Sequence, residues 1–292
     1  MRRFPAIRRA LPGVVLVATA AVPAAAQTPF QWEVGADYLD REFTASSNFG
    51  EVFEVDTTGF GVSAQWFFEP VATDSGPLER AAFLDRASLL SISFAQSEAE
   101  AEFSETDSDV FALGARYQFQ SNWFIAGSIG ESSSDTDGFE SDATNLVVGA
   151  GLYVAENTAI AVNVTRQDVD FPGGESDDFT SYTLSFEHVS GLGTSGWQAA
   201  LDGGLFIPEG EFGDAVISTG VTLYPSRTLG FGFDLAAAID DTDDRPTTFG
   251  VFGRWFVTEA WLVAARYDWT DFNASFGDQD EEGFAISTRY RF

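Results

Sequence analysis

The sequence predicts an all-β chain: a transmembrane antiparallel β-barrel of about 14 strands, with 12 or 16 as the alternatives. Three observations predict it. Apolar and polar residues alternate with a period of two through nearly the whole chain. The alternating segments are joined by connections that tend to be short on one side and longer and acidic on the other. The tryptophans gather at one end of those segments.

Composition narrows the function classes. The chain has 292 residues, 45 acidic against 15 basic, and a formal net charge of −30. All 15 basic residues are Arg, there is no Cys, and His188 is the single histidine. A Schiff-base or P-loop lysine, a thiolate nucleophile, a disulfide framework and a multi-His or Cys/His metal site are therefore excluded. Nucleic acid is excluded as a partner, because phosphate binding rests on neutralisation by Lys and Arg. Such acidity suggests disorder, but 29 Phe, 7 Tyr and 7 Trp do not belong to a disordered chain.

Residues 1–26 read as a secretory signal peptide. Arg2, Arg3, Arg8 and Arg9 form the positive region, 11–22 the short apolar region, and Ala24-Ala25-Ala26 the cleavage site. The apolar run is shorter than the ~20 residues a membrane helix needs. Residues 27–292 then form a single barrel domain with a net charge of −34, since four Arg and no acid leave with the signal.

The strands follow in order. Phe30, Trp32, Val34, Ala36 and Tyr38 share one face, and Gln31, Glu33, Gly35 and Asp37 the other. Apolar faces recur at 60–68, 90–94, 111–119, 123–129, 146–154, 160–164 and 182–186. They continue at 197–205, 215–223, 229–237, 249–255, 261–269 and 284–292. The opposite faces are mostly Gly, Ala, Ser, Thr, Gln, Asn, Asp and Arg. A soluble sandwich turns such an apolar face inward; a membrane barrel turns it to lipid. Residues 120–122, 156–158, 225–228 and 258–260 read as tight turns, while 40–59, 98–109, 131–142, 168–178, 208–214, 240–246 and 271–282 read as acidic outer loops. Residues 69–87 and 189–196 break the short-turn rule. Six of the seven tryptophans, Trp32, Trp66, Trp123, Trp197, Trp255 and Trp261, fall at the short-turn ends, as an interfacial belt favours, and Trp269 alone lies near the other end.

The last strand ends Arg289-Tyr290-Arg291-Phe292. It resembles the terminal signal read by the barrel assembly machinery of bacterial outer membranes, with Tyr290 and Phe292 as its aromatic positions. The segment from Gly76 to Ser88, GPLERAAFLDRAS, is similar to one in a porin family of proteobacteria. The resemblance implies an outer-membrane barrel that passes small solutes, and it carries over no catalytic residue. In the same segment Pro77 opens a short helix from Leu78 to Asp85. By strand parity it lies on the periplasmic side, either as a plug or gate at the inner mouth or as a long turn capping the rim.

Charge is sorted by strand parity. Thirty-three acids fall in the outer loops or beside them. Glu69, Asp74, Glu79, Asp85, Glu156, Glu187 and Glu259 fall on the periplasmic side. The channel-lining candidates are Arg116, Arg254, Arg266, Arg289 and Arg291 together with Glu33, Asp37, Asp202, Asp234 and Asp268. They form either an Arg wall facing an acidic wall across the lumen, or salt bridges that stiffen it, Arg266 with Asp268 and Arg289 or Arg291 with Glu33. The acidic outer mouth steers cations, solvates the loops, or offers Ca²⁺ or Mg²⁺ a weak site at Asp240-Asp241-Thr242-Asp243-Asp244; no resident cofactor and no built metal site is expected. His188 follows the lipid-facing parity beside a periplasmic turn, the wrong place for an active site, so no enzyme is expected. The function expected is an outer-membrane porin, a passive diffusion channel for small hydrophilic solutes or ions. A non-conducting structural or adhesive barrel is the alternative. The partners expected are outer-membrane lipid and lipopolysaccharide, the assembly machinery, small solutes and, as an open question, further copies of the chain.

Overall fold

The computed structural model describes residues 29–46, 52–102, 104–171, 176–194, 196–209, 214–239, 246–274 and 277–292. The signal segment 1–26 and the acidic run 240–244 lie outside the described residues. Fourteen strands form one closed sheet: β1 (Phe30–Ser46), β2 (Val52–Val71), β3 (Leu89–Ala101), β4 (Ser104–Gln118), β5 (Trp123–Thr136), β6 (Phe139–Ala155) and β7 (Thr158–Asp170), then β8 (Ser176–Gly191), β9 (Gln198–Pro208), β10 (Ala215–Ser226), β11 (Leu229–Ile239), β12 (Pro246–Phe256), β13 (Trp261–Ala274) and β14 (Gly277–Arg291). Each pairs antiparallel with its chain neighbours. β14 closes on β1 in register from Glu33 opposite Arg291 to Ala45 opposite Gln279. A closed sheet leaves no edge, so every strand can satisfy its backbone inside a bilayer.

The apolar face points outward all the way round. Phe60, Ile125, Val148, Val162 and Ile217 each expose half or more of their surface. In water that would be an aggregation surface; against lipid it is the solvent-facing side. The outward rings form a belt at the short-turn end, where Trp32 lies 6.4 Å from Phe292 and 6.3 Å from Trp66.

Two details differ from strand parity alone. The acidic outer stretches are largely strand, not loop. β3 runs to Ala101 and β4 starts at Ser104, and β5 and β6 meet in a two-residue turn at Asp137 (φ 53°) and Gly138 (φ 87°). That left-handed pair is the hairpin turn that suits twisted strands. In these stretches Asp and Glu alternate with Ser and Thr, so the period of two survives beyond the apolar belt. β2 has 20 residues, roughly twice what a bilayer needs. The second difference is Phe30, which turns inward and not to lipid. The register shifts between Phe30 and Trp32 against β2, and the amides of Gln31 and Trp32 both donate to the Phe292 carbonyl. This bulge reverses the parity of one residue and puts the Phe30 ring edge-on to Phe67 at 5.3 Å.

The buried apolar residues are few and sit together at the periplasmic end. Phe30, Phe67, Val71, Leu78, Ala81, Phe83, Phe124, Tyr153, Tyr224, Phe256 and Leu262 are all buried there. They collect around the connection between β2 and β3. It contains a 3₁₀ turn (Leu78–Arg80) and a one-turn helix α1 (Ala81–Leu84).

Candidate functional site: the lumen and its inner mouth

The β2–β3 connection crosses the mouth instead of capping one edge. At one end, the Leu78 amide donates to the Arg227 carbonyl beyond β10 at 2.9 Å. The Leu78 carbonyl accepts from Arg291 Nη1 of β14 at 2.7 Å. Next, Arg80 donates to both oxygens of Asp202 on β9 (3.2 and 2.7 Å) and to Glu187 on β8 (2.8 Å). At the other end, the Phe83 carbonyl accepts from Tyr153 Oη of β6 at 3.0 Å, and Arg86 donates to Asn122 Oδ1 after β4 at 2.8 Å. β14 and β6 stand six strands apart in the closed order of fourteen, close to opposite sides of the barrel. Only a segment that traverses the lumen can touch both sides.

A polar network ties it down. Tyr224 Oη donates to Glu79 (3.0 Å) and accepts from Arg80 Nε (3.2 Å). Glu79 also pairs with Arg254. Burial works against the Arg80 cation, but Tyr224, Asp202, Glu79 and Glu187 outweigh it and hold the guanidinium charged well above its ordinary range. Arg291 is nearly fully buried. It donates to Glu33 at 2.5 Å, with its guanidinium 4.4 Å over the Phe30 ring and 4.9 Å over Phe256. Arg86 takes a left-handed φ of 53° at the end of α1, and its guanidinium lies 4.5 Å over the Tyr153 ring. A non-glycine residue in that region is held there by its contacts.

Above the segment, one row of residues crosses five strands at a single level. Gly220 is the register partner of both Asp202 and Asp234, and Gly250 of both Asp234 and Asp268. Aspartates on β9, β11 and β13 thus alternate with glycines on β10 and β12. Arg266 fills the space over Gly250: it donates to Asp234 at 2.6 and 2.8 Å and from Nε to Asp268 at 2.7 Å. A cavity of about 310 Å³ opens beside it, lined by Arg80, Asp202, Gly220, Asp234, Arg254 and Arg266 among others.

The ten lining candidates fall into this picture unevenly. Arg and acid stand side by side on one wall, β9 to β14 and β1, rather than on facing walls. Arg266 lies between Asp234 and Asp268, Arg289 is 3.5 Å from Glu33, and Arg291 also binds Glu33. Asp37 is exposed to the lumen. Arg254 and Arg116 belong to the inner-mouth network. Arg116 Nη2 donates to Tyr153 at 2.8 Å and its guanidinium lies 3.9 Å over Phe124. Glu79 and Glu187, assigned by parity to the periplasmic side, join the lumen network through Arg80 and Arg254. Tyr290 and Phe292 face outward with their rings 6.1 Å apart.

Sequence reasoning missed Arg80, Tyr153 and Tyr224 as parts of the site. A signal for the tyrosines exists. Phe67, Phe124, Tyr153, Tyr224 and Phe256 are large aromatics on the inward parity, at the periplasmic ends of their strands, where small residues otherwise stand. Such a residue needs something inside the lumen to pack on. Outside the lumen, the carboxylates of Glu42, Glu54 and Asp56 converge on the exposed outer part of β1 and β2. His188 Nδ1 is 2.8 Å from Thr158 Oγ1 on the lipid-facing side.

Residues 10–292 match the family described as "Putative general bacterial porin". The chain belongs to this family. This porin is a closed barrel of fourteen strands. A search of the curated proteins returned no match. Among solved structures, the porin is similar to the Acinetobacter baumannii outer membrane protein Omp33. They share 18% identity at a TM-score of 0.58, covering 91% of the porin and 100% of Omp33. It is also similar to a deltaS2S3 mutant of the monoaromatic hydrocarbon channel TodX (10% identity, TM-score 0.53, 91% of each chain). A Pseudomonas aeruginosa FadL homologue is a third (7% identity, TM-score 0.52, 90% of each chain). At these identities the likeness is one of fold. It is the likeness of one closed β-barrel to another.

Proposed function

We propose that this porin is a passive diffusion channel for small hydrophilic solutes or ions, entered through an anionic outer mouth and restricted at its inner mouth by residues 72–88. The observation that carries the reading is the contrast between the two ends of the lumen. Above the inner-mouth segment the inward faces are small and polar, as in Ser91-Ser93-Ala95 of β3 and Ser128-Gly130-Ser132 of β5, and they pack no apolar core. Fourteen strands enclose more space than such side chains fill. At the inner mouth, by contrast, the segment is held both by hydrogen bonds and ion pairs and by the buried apolar residues gathered around Leu78, Ala81 and Phe83. In this reading residues 1–26 direct export and are removed, and Tyr290 and Phe292 guide assembly into a lipopolysaccharide-bearing membrane.

Planar-bilayer recording of the purified protein in a KCl gradient tests this. Cation-biased steps are expected, larger or longer-lived when residues 74–86 are deleted. Silence in both proteins overturns the channel. The second reading, a structural barrel that does not conduct, is favoured by the span of residues 72–88 across the whole mouth. Conductance that appears only in the deletion would support it.

A further inference from the structure

We infer that Arg116, on the inward face of β4 beside Tyr153, is a binding site for the carboxylate group of a small organic solute. The inference deepens the channel reading above and rests on it, since the ligand reaches Arg116 through the lumen.

Arginine in this lumen is otherwise neutralised where it stands. Arg80, Arg254, Arg266, Arg289 and Arg291 each form an ion pair with Asp or Glu, and among the described residues Arg116 forms none. Arg116 Nη2 donates to Tyr153 Oη at 2.8 Å; Nε is covered without an acceptor, and Nη1 has no acceptor and is not covered. Arg86 and Arg227 also lack an acid, but they sit at the periplasmic turns and donate there to oxygens of Asn122, Ala155 and Gly76. Strand parity isolates Arg116. The inward residues of β3 to β7 are small, polar or apolar, and Arg116 is the only charged one. Every acid within those five strands, from Glu98 to Asp170, takes the outward parity. A continuous stretch of the lumen wall thus presents one positive group and no negative one.

Charge and shape both select a carboxylate. A cation is repelled by Arg116 and by Arg86, whose guanidinium lies 4.5 Å over the same Tyr153 ring. Glu187, on the adjoining strand β8, already accepts from Arg80 at 2.8 Å. Asp109, the acid nearest to Arg116 along β4, faces outward about seven residues away, roughly 23 Å at ~3.3 Å per residue. That exceeds two Debye lengths of about 10 Å at 0.1 M salt, so the acidic rim does not cancel the guanidinium. Nη1 offers two N–H groups and Nη2 one beyond that used by Tyr153, enough for the paired acceptors of a carboxylate. Phe124, whose ring lies 3.9 Å from the guanidinium, and Tyr153 hold it in place before a ligand arrives, so binding requires little further ordering. The rim biases which small ions enter, whereas Arg116 holds one functional group of a solute already inside.

Ligand-observed NMR and calorimetry on the detergent-solubilised barrel test the site with propionate against propionamide, its uncharged planar isostere. Propionate is expected to bind roughly tenfold more tightly. Arg116→Gln, which keeps a donor for Tyr153 and removes the charge, should abolish that preference. Arg116→Lys, which keeps the charge and loses the fork, should weaken propionate several-fold. Heat-modifiability on gels checks that each variant is folded, and the Lys variant carries the test if the Gln variant does not assemble. Equal binding of the two probes, or undiminished propionate binding in a folded Arg116 variant, overturns the site. Bilayer recordings separate this from the channel reading. Conductance in a barrel that does not prefer propionate removes the site and leaves the channel; propionate binding that depends on Arg116 in a silent barrel keeps the site and removes the channel.

Discussion

Tyr153 shows how one inward aromatic organises the inner mouth. Its hydroxyl donates to the Phe83 carbonyl and accepts from Arg116, while its ring packs 5.5 Å from Phe83 and lies under Arg86. Arg116 Nε is already buried without a partner, so the hydroxyl is the main polar contact that guanidinium has. Tyr153→Phe keeps the ring and removes both hydrogen bonds. It should cost about 1–3 kcal/mol, read as a lower temperature for loss of the heat-resistant gel band, and it should raise the open fraction in bilayers. An unchanged transition would mean that the segment is held by apolar packing alone. The two glycines of the aspartate row differ at the same scale. Gly250→Ala should expel Arg266 from between Asp234 and Asp268, because the methyl occupies the guanidinium's place. Gly220→Ala should fold normally. The same gel assay distinguishes them.

Among the elements, the β2–β3 connection is the one whose role could not be reached from its own residues. Pro77 and the apolar positions of 78–84 announce a short helix, and the structure has a 3₁₀ turn and one turn of α-helix there. Nothing local says that Arg80 reaches β8 and β9 while Leu78 reaches β14, because those partners lie more than a hundred residues away. Acid at the periplasmic face should tighten this element. Asp85 accepts a hydrogen bond from the Ala72 amide at 2.9 Å. Burial pushes its carboxyl above the ordinary range; the Ala72 bond pulls it down, and Asp74 and Glu69 push it up again. A carboxyl whose pKa is raised in the docked state takes up a proton on docking. Docking is therefore favoured as pH falls through that raised value and disfavoured as pH rises through it. Periplasmic-side acidification from pH about 7 to about 5 should lower the open probability. Asp85→Asn, which retains an oxygen for Ala72, should flatten the dependence; a slope unchanged in that variant would assign it to another group.

At the scale of the whole molecule, charge is separated along the barrel axis. The lumen wall pairs most of its acids with Arg, whereas the outer rim carries far more carboxylates than Arg on strands that continue past the apolar belt. Such a rim attracts cations at a distance set by the Debye length, roughly 10 Å at 0.1 M salt and 3 Å at 1 M. The cation-to-anion permeability ratio should therefore fall markedly between those concentrations. A ratio independent of salt would place the selectivity inside the lumen instead.

The strand count, the outward apolar face, the tryptophan belt and the pairs Arg266–Asp268 and Arg291–Glu33 were legible in the sequence. All of them follow from a period of two and from the closure of the last strand on the first. What lay beyond it were the inversion of Phe30, the entry of Glu79 and Glu187 into the lumen network, and the crossing of the inner mouth. A bulge changes parity without changing composition. A traverse of the lumen is decided only when strands nearly half a barrel apart have been brought to a common distance. Alternation by itself determined that this chain is a barrel and which face meets lipid, because each strand's two faces are written residue by residue. Only the closed tertiary structure decided what occupies the lumen, because that depends on which residues of different strands stand at the same level.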